Sequence, residues 1–335
     1  MRRTTISDIA RELNMTPSTV SRALARSPLV KEETRLAVLA KAKSMGYERN
    51  MMASNLRKGV VKTVGIIVPR INRQFFSNVI SGAESVLNEA GYNVLICQTM
   101  EQFGKEKEAI STLIRNQVAG ILMSHSIETP DSGHIKKAVD TGVRVVQFDR
   151  VFYDIPDAKI VNDNFQGAYT ATKLLIDQGY KRIGSLAGYT STAGYRERLD
   201  GYRQALLDSG MEVDEDIIFI NTIVRETGYS QGKIAIEKGC DAIYSAGDFS
   251  ALGAVDAAKG KGLRIPEDFG IVGTANEDFT ELMSPALSSL SLKPYEMGKA
   301  AAEAFLSGGG DRVETIKMEL MERASSRRKI DWENI

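Results

Sequence analysis

The chain has 335 residues, with 43 Lys+Arg against 43 Asp+Glu and a formal net charge of +0; 43% is hydrophobic and 26% charged. This is an ordinary globular composition, and the length exceeds one hydrophobic core, which predicts two or three domains. The longest apolar runs, such as Val64–Val68 and Val143–Val146, are too short to span a bilayer, and residues 1–20 hold no apolar signal block. Two cysteines, Cys97 and Cys240, cannot build a disulfide framework, so a cytoplasmic protein without membrane contact is expected.

The zero is a cancellation. Residues 1–62 carry 13 Lys/Arg against 5 Asp/Glu, a net of +8, and residues 63–335 carry the compensating −8. A basic module on an acidic body is the pattern of a nucleic-acid reader, provided the basic part folds. Its periodicity says that it does. Ile6, Ile9, Ala10 and Leu13 form one stripe of a first helix, and Thr5-Ile6-Ser7-Asp8 supplies a capping box. Asn14-Met15 interrupts the pattern. Thr16-Pro17 then restarts it, with Thr16 as N-cap and Pro17 at the first helical position.

In this second helix Val20, Ala23 and Leu24 face inward, leaving Ser18, Thr19, Ser21 and Arg22 outside. A third helix runs from about Glu32 to Met45, with Val38, Ala42 and Met45 on its buried side. Three short helices with a polar, basic outer face make a helix-turn-helix. Arg22 is long enough for a bidentate contact to guanine, whereas Thr19 and Ser21 suit phosphate oxygens, which set register.

From Thr63 strands alternate with helices. Val64–Val68, Asn93–Cys97, Gly120–Met123 and Val143–Phe148 read as strands; helices are expected around Val79–Ala90, at Lys105–Asn116 and at Ile135–Asp140. After Asp154–Asp157 the alternation resumes: strands Ile183–Leu186, Ile217–Asn221, Ala242–Ser245 and Gly270–Gly273, helices Ala168–Gln178, Arg198–Ser209, Gly228–Lys238 and Ala251–Lys261. This predicts two parallel sheets covered by helices, with ligand at the C-terminal ends of the strands.

The segments Thr5-Ile-Ser-Asp-Ile-Ala-Arg, Pro17-Ser-Thr-Val-Ser-Arg-Ala-Leu24, Thr34-Arg35 and Gly46-Tyr47 closely resemble the head of the LacI–GalR family of bacterial transcription regulators. Further down, Gly82-Ala-Glu84, Phe148-Asp-Arg150, Gly201-Tyr202, Asp248-Phe-Ser-Ala-Leu-Gly253 and Glu322-Arg-Ala-Ser-Ser326 resemble its effector domain. The resemblance implies a helix-turn-helix head at 1–49, a hinge helix and linker at 50–62, and a two-lobed domain of periplasmic-binding-protein type at 63–335. It places the N-lobe at about 63–160 and 292–322, and the C-lobe at about 161–291 and 323–335, with crossings near 160, 291 and 323. It implies a homodimer, a pseudo-palindromic operator in double-stranded DNA, and a small effector, expected to be a carbohydrate.

By the same resemblance the DNA-contact candidates are Thr5, Thr16, Pro17, Ser18, Thr19, Ser21, Arg22, Asn50, Ala53, Leu56 and Arg57. Leu56 matches the leucine that the family wedges into a base step from the minor groove, where an apolar side chain unstacks and kinks the duplex. The effector candidates are Phe75, Phe76, Asp149, Arg150, Arg198 and Asp248, with Arg198 as the clamp. Arg49 stands where the family's hinge has proline, and Lys31 where a side-chain cap is usual. Thr274 replaces an aromatic residue and Ala275 an aspartate, so Asn276 is expected to supply the missing polar group. No enzyme reading competes: His125 and His134 lack metal-ligand spacing, Gly228–Ile234 falls short of a phosphate loop, and no nucleophile elbow occurs. Neither cofactor nor metal is expected.

Overall fold

A computed structural model describes residues 4–47 and 62–328, which belong to two compact units, residues 1–61 and 62–335. In the first unit α1 (Ile6–Glu12), α2 (Pro17–Leu24) and α3 (Glu32–Ser44) close over one core of Ile9, Ala10, Val20, Ala23, Val30, Val38 and Ala42. Both reciprocal bonds of the capping box form: the Asp8 amide donates to Thr5 Oγ1, and the Thr5 amide donates to Asp8 Oδ2 at 3.0 Å. Asn14 takes the turn into α2 with φ +53, a left-handed conformation that asparagine tolerates. Lys31 makes no side-chain cap at α3, as its ammonium group dictates.

The second unit contains two α/β/α lobes. The N-lobe sheet joins β1 (Thr63–Val68), β2 (Asn93–Gln98), β3 (Gly120–Met123), β4 (Arg144–Phe148), β5 (Lys159–Asn162) and β11 (Val313–Ile316) in the order β11-β5-β4-β3-β1-β2, all parallel. Helices α4 (Gln74–Glu89) and α12 (Pro294–Leu306) cover one face; α5 (Phe103–Arg115) and α6 (Gly133–Asp140) cover the other. The C-lobe sheet joins β6 (Ile183–Leu186), β7 (Ile218–Phe219), β8 (Ala242–Ser245), β9 (Gly270–Ala275), β10 (Ser288–Ser291) and β12 (Glu319–Met321) in the order β12-β10-β9-β8-β6-β7. Helices α7 (Asn164–Asp177) and α8 (Ala193–Asp208) lie on one side, α9 (Arg225–Glu237) and α10 (Asp248–Gly260) on the other, and the short α11 (Phe279–Leu282) follows β9. Only the edge pair β10–β12 runs antiparallel among the described strands.

The chain passes between lobes after β5, after β10 and after β11. The last passage corrects the sequence boundary near 323. It falls between Ile316 and Glu319, because Glu319–Met321 already pairs with Ser291–Ser289 on the C-lobe edge. Likewise Val161 and Asn162 belong to the N-lobe, paired with Thr315 and Ile316.

Three helix pairs are fixed by glycines that let backbones meet. A Cβ on Gly82 of α4 would lie 2.0 Å from the Tyr295 carbonyl oxygen of α12, and one on Gly298 would lie 2.0 Å from that of Val79. Gly201 meets Phe165 in the α7–α8 pair, and Gly228 and Gly253 meet Ser250 and Arg225 in the α9–α10 pair. These crossings set how far each helix layer stands from its neighbour, and so hold the strand ends that line the space between lobes.

Candidate functional site

Between the lobes lies a cleft of about 560 Å³ at the C-terminal ends of the strands. Each wall is built by loops that leave a strand. After β1 come Arg70, Arg73, Phe75 and Phe76; after β2, Glu101; after β4, Asp149 and Arg150. The C-lobe supplies Arg198 from α8, Asp248 and Phe249 from the start of α10, and Glu277 after β9. Six of the sequence candidates, Phe75, Phe76, Asp149, Arg150, Arg198 and Asp248, therefore share one cleft.

Phe76 is buried and belongs to the N-lobe core as well, with Phe75 edge-on to it at 5.1 Å between ring centroids. Arg150 lies beside that ring, 6.0 Å from its centroid, and donates from Nη1 to Glu101 Oε2 at 2.8 Å. Burial works against its charge, but Glu101 and Asp149 outweigh burial and hold its pKa above the ordinary arginine value. The guanidinium is thus neutralised within the N-lobe.

Arg198 is different. It is 6% exposed, donates from Nε to Asn164 Oδ1 at 2.9 Å and from Nη1 to the Ala246 carbonyl at 3.1 Å, and lies 5.2 Å from the Tyr195 ring centroid. Both acceptors are neutral, and Nη2 has no acceptor among the described residues. A buried guanidinium held rigid with one donor edge open suits a ligand's acceptor groups.

Asp248 is 1% exposed, and its carboxylate is occupied: Oδ1 accepts from Ser289 Oγ at 2.6 Å and Oδ2 from the Glu277 amide at 2.9 Å. Burial pushes its pKa up to about 6 against those bonds. It acts mainly as a brace between α10 and the β9 loop, with a second surface on the cleft. At the cleft rim the lobes touch directly. Gln74 Nε2 donates to Asp278 Oδ1 at 2.5 Å, the Asp278 amide donates to Gln74 Oε1 at 2.8 Å, and the Arg73 guanidinium sits 4.2 Å from the Phe249 ring centroid.

Asn276 must be corrected. It is absent from the cleft lining; its Oδ1 accepts from Arg323 Nη2 at 2.9 Å, and its amide donates to Ser289 Oγ. The cause is in the backbone. Ala275 has φ +124, which a residue with a Cβ rarely adopts, and Asn276 follows at φ +54 in the left-handed region that asparagine tolerates. Their twist turns Asn276 toward Arg323 and delivers Glu277 into the cleft in its place. Sequence reasoning also passed over Arg73, Glu101 and Phe249; a Phe directly after the recognised Asp248 was the one available signal.

On the head, Thr16 caps α2 by accepting from the Thr19 amide at 3.2 Å, with its hydroxyl 2.9 Å from both Ser18 Oγ and Thr19 Oγ1. Pro17 occupies the first turn, Ser18 and Arg22 are exposed, and Ser21 and Thr19 are half-buried. Arg22 makes no ion pair among the described residues, so its guanidinium is available. Thr5 is exposed at the α1 cap. Asn50, Ala53, Leu56 and Arg57, with the hinge segment at 50–61, lie outside the described residues. Among the described residues no helix is long and apolar enough to cross a membrane, and no three His, Cys, Asp or Glu residues gather as a metal site.

Two family models match the chain: "Bacterial regulatory proteins, lacI family" over residues 5–50, and "Periplasmic binding proteins and sugar binding domain of LacI family" over residues 61–322. The transcriptional repressor CytR of Escherichia coli (strain K12) is 32% identical over 333 residues, 96% of each chain. Among solved structures, a CelR–cellobiose complex of a transcriptional regulator is similar at TM-score 0.72 and 25% identity, over 96% of this chain and 100% of that one. The Lac repressor dimer bound to operator and the anti-inducer ONPF shares the fold at TM-score 0.85 and 20% identity, over 97% and 99%. With a helix-turn-helix head and a two-lobed cleft domain both matched by family models, the chain belongs to the LacI family of DNA-binding transcriptional regulators.

Proposed function

We propose that this protein is a dimeric repressor that reads a pseudo-palindromic operator and is switched by a small polyhydroxylated effector, a sugar or sugar derivative, bound between the lobes. The observation that carries the effector is Arg198, a buried guanidinium with two neutral partners and an open donor edge on a cleft that also presents Phe75, Phe76 and Phe249. Aromatic faces take the C–H faces of a sugar ring, and charged groups take its hydroxyls. The likeness to a regulator solved with cellobiose supports the same class.

DNA contact falls to Thr5, Thr16, Pro17, Ser18, Thr19, Ser21 and Arg22 of the head, with Asn50, Ala53, Leu56 and Arg57 following it. One head spans half a site, so two-fold pairing is required to read a palindrome. The N-lobe edge strand β2 exposes Leu95 and Ile96, and the C-lobe exposes Tyr229, Ile234 and Leu282, apolar surface suited to a second copy. Effector binding biases lobe closure, and residues 50–62 carry that bias to the head.

Selection of operator sequences from a random pool tests the DNA half. A palindromic motif whose half-site loses its guanine preference in Arg22→Ala is the expected result; uniform recovery of sequences would refute it. The effector half is tested by thermal shift with a sugar panel, in which Arg198→Ala abolishes the shift seen for the parent protein.

A further inference from the structure

Among the described residues, Glu277 is the one carboxylate of the cleft whose side chain has no hydrogen-bond or ion-pair partner. It is 9% exposed and lines the cavity, yet its side chain makes no hydrogen bond and no ion pair among the described residues. Only its backbone is used: the amide donates to Asp248, and the carbonyl accepts from Thr280 Oγ1 at 2.7 Å. The other buried acids in and near the cleft are satisfied. Glu101 holds Arg150 and the Ile127 amide, and Glu106 holds His134, Thr129 and the Ser126 amide.

The surroundings do not neutralise it. Asp248 at the start of α10 lies beside it with a like charge, and Asp278 follows it in the chain. Arg73, the cation that acts on it, is held over Phe249 and is not in ion-pair contact, while Arg323 on the C-lobe edge is bound to Asn276 and Glu281. Burial first, then the Asp248 charge, push the pKa of Glu277 up to about 7, with Arg73 opposing. An uncompensated carboxylate costs stability, and two carboxylates sharing one site are relieved either by holding a proton or by a positive charge beside them.

We propose that Glu277 is a specificity-determining residue that receives a protonated amino group of the effector, so that the cleft selects an amino-substituted polyol or sugar over its neutral counterpart. The inference rests on the effector-binding reading above and narrows it. The positive-φ pair Ala275 and Asn276, which turns Glu277 inward, is the feature that builds the site. Arg198 on the same cleft takes the ligand's hydroxyl acceptors, so one ligand with donor and acceptor ends satisfies both unpaired groups.

The test uses the full chain and matched compounds: 6-amino-6-deoxyglucose against glucose, and 1-amino-1-deoxyglucitol against glucitol, titrated by calorimetry at pH 8 and pH 5.5. The expected result is at least tenfold tighter binding of an amino compound at pH 8. That preference should disappear at pH 5.5, where Glu277 is protonated, and in Glu277→Gln at either pH. The pH comparison on the unaltered protein keeps the test decisive if the variant folds poorly. Neutral compounds that bind as well as amino ones would overturn the role of Glu277 while leaving the sugar-binding cleft intact. Amino compounds that fail to bind, or bind Glu277→Gln equally, overturn it too. Absence of any binding, by neutral and amino members alike, removes the polyol-effector reading as well.

Discussion

The lobes are held at their rim by a latch whose strength follows from its parts. Gln74, the first residue of α4, makes two hydrogen bonds to Asp278 across the rim, one to its carboxylate and one from its backbone amide. Both partners are solvent-facing, so each bond is worth about 0.5–1 kcal/mol net, at the low end of the usual range. Gln74→Ala removes both and leaves a helix-favouring residue, a loss of about 1–2 kcal/mol from the closed arrangement and a roughly 5–30-fold shift toward open lobes. Adding Arg73→Ala removes the cation–π contact with Phe249, worth about 0.5–1 kcal/mol more at an exposed site. Hydrogen exchange read by mass spectrometry on peptides covering 70–78 and 274–280 reports this directly, since their rim amides exchange through lobe opening. Exchange there should accelerate by that factor, with the cores around β1 and β8 unchanged. Unaltered rim exchange in the double variant would show that the latch does not hold the lobes.

Three further outcomes follow from single side chains. Gly298→Ala places a Cβ 2.0 Å from the Val79 carbonyl and should cost about 1–3 kcal/mol by overpacking, whereas Gly104→Ala, with nothing within 4 Å, should not; urea midpoints separate the two. Glu106→Ala strands His134, Thr129 and the Ser126 amide in a buried site and should destabilise by about 3 kcal/mol or more, read by thermal melting. For Asp248 the folded pKa, about 6, lies above the ordinary carboxylate value. Its contribution is therefore present below about pH 4 and is lost as pH rises through 6, about 3 kcal/mol at 1.36 kcal/mol per unit. Asp248→Asn should flatten that part of the stability–pH curve, and an unchanged slope would contradict a raised folded pKa of Asp248.

Apart from β5 (Lys159–Asn162), which the pattern did not announce, the alternation of strands and helices was readable up to Gly270–Gly273 because the strands there are short apolar runs between amphipathic helices. Beyond it the pattern gives no warning of β10, α12, β11 and β12. Ser288-Ser289-Leu290-Ser291 has little apolar content because its serines are tied inside the lobe, Ser288 to Arg323 and Ser326, and Ser289 to Asp248. Glu319-Leu320-Met321 is an edge strand of three residues, too short for periodicity to register, so the last lobe crossing was misplaced. The recognised glycines, Gly82, Gly201 and Gly253, were visible as motif letters, but their reason, backbone contact between paired helices, exists only in three dimensions.

The cleft divides the same way. Residues on regular elements, Phe76 on α4, Arg198 on α8 and Asp248 at the start of α10, were nominated by the family resemblance and line the cleft, since a helix fixes the direction of every side chain it carries. The residue after β9 could not be found by spacing, because direction in a loop is set by φ and not by sequence separation. Asn276 was nominated as the polar neighbour of Ala275, which stands where the family resemblance implies an aspartate. Two positive φ values in a row shift that position by one residue and bring Glu277 inward. Restoring an ordinary backbone there is costly, because Asn276 and Glu277 are both pinned by their amides to Ser289 and Asp248. The same buried aspartate that burial drives toward neutrality therefore fixes the geometry that exposes a second carboxylate to the ligand. A cleft assembled in this way keeps its outline from the family fold and takes its selectivity from a two-residue distortion.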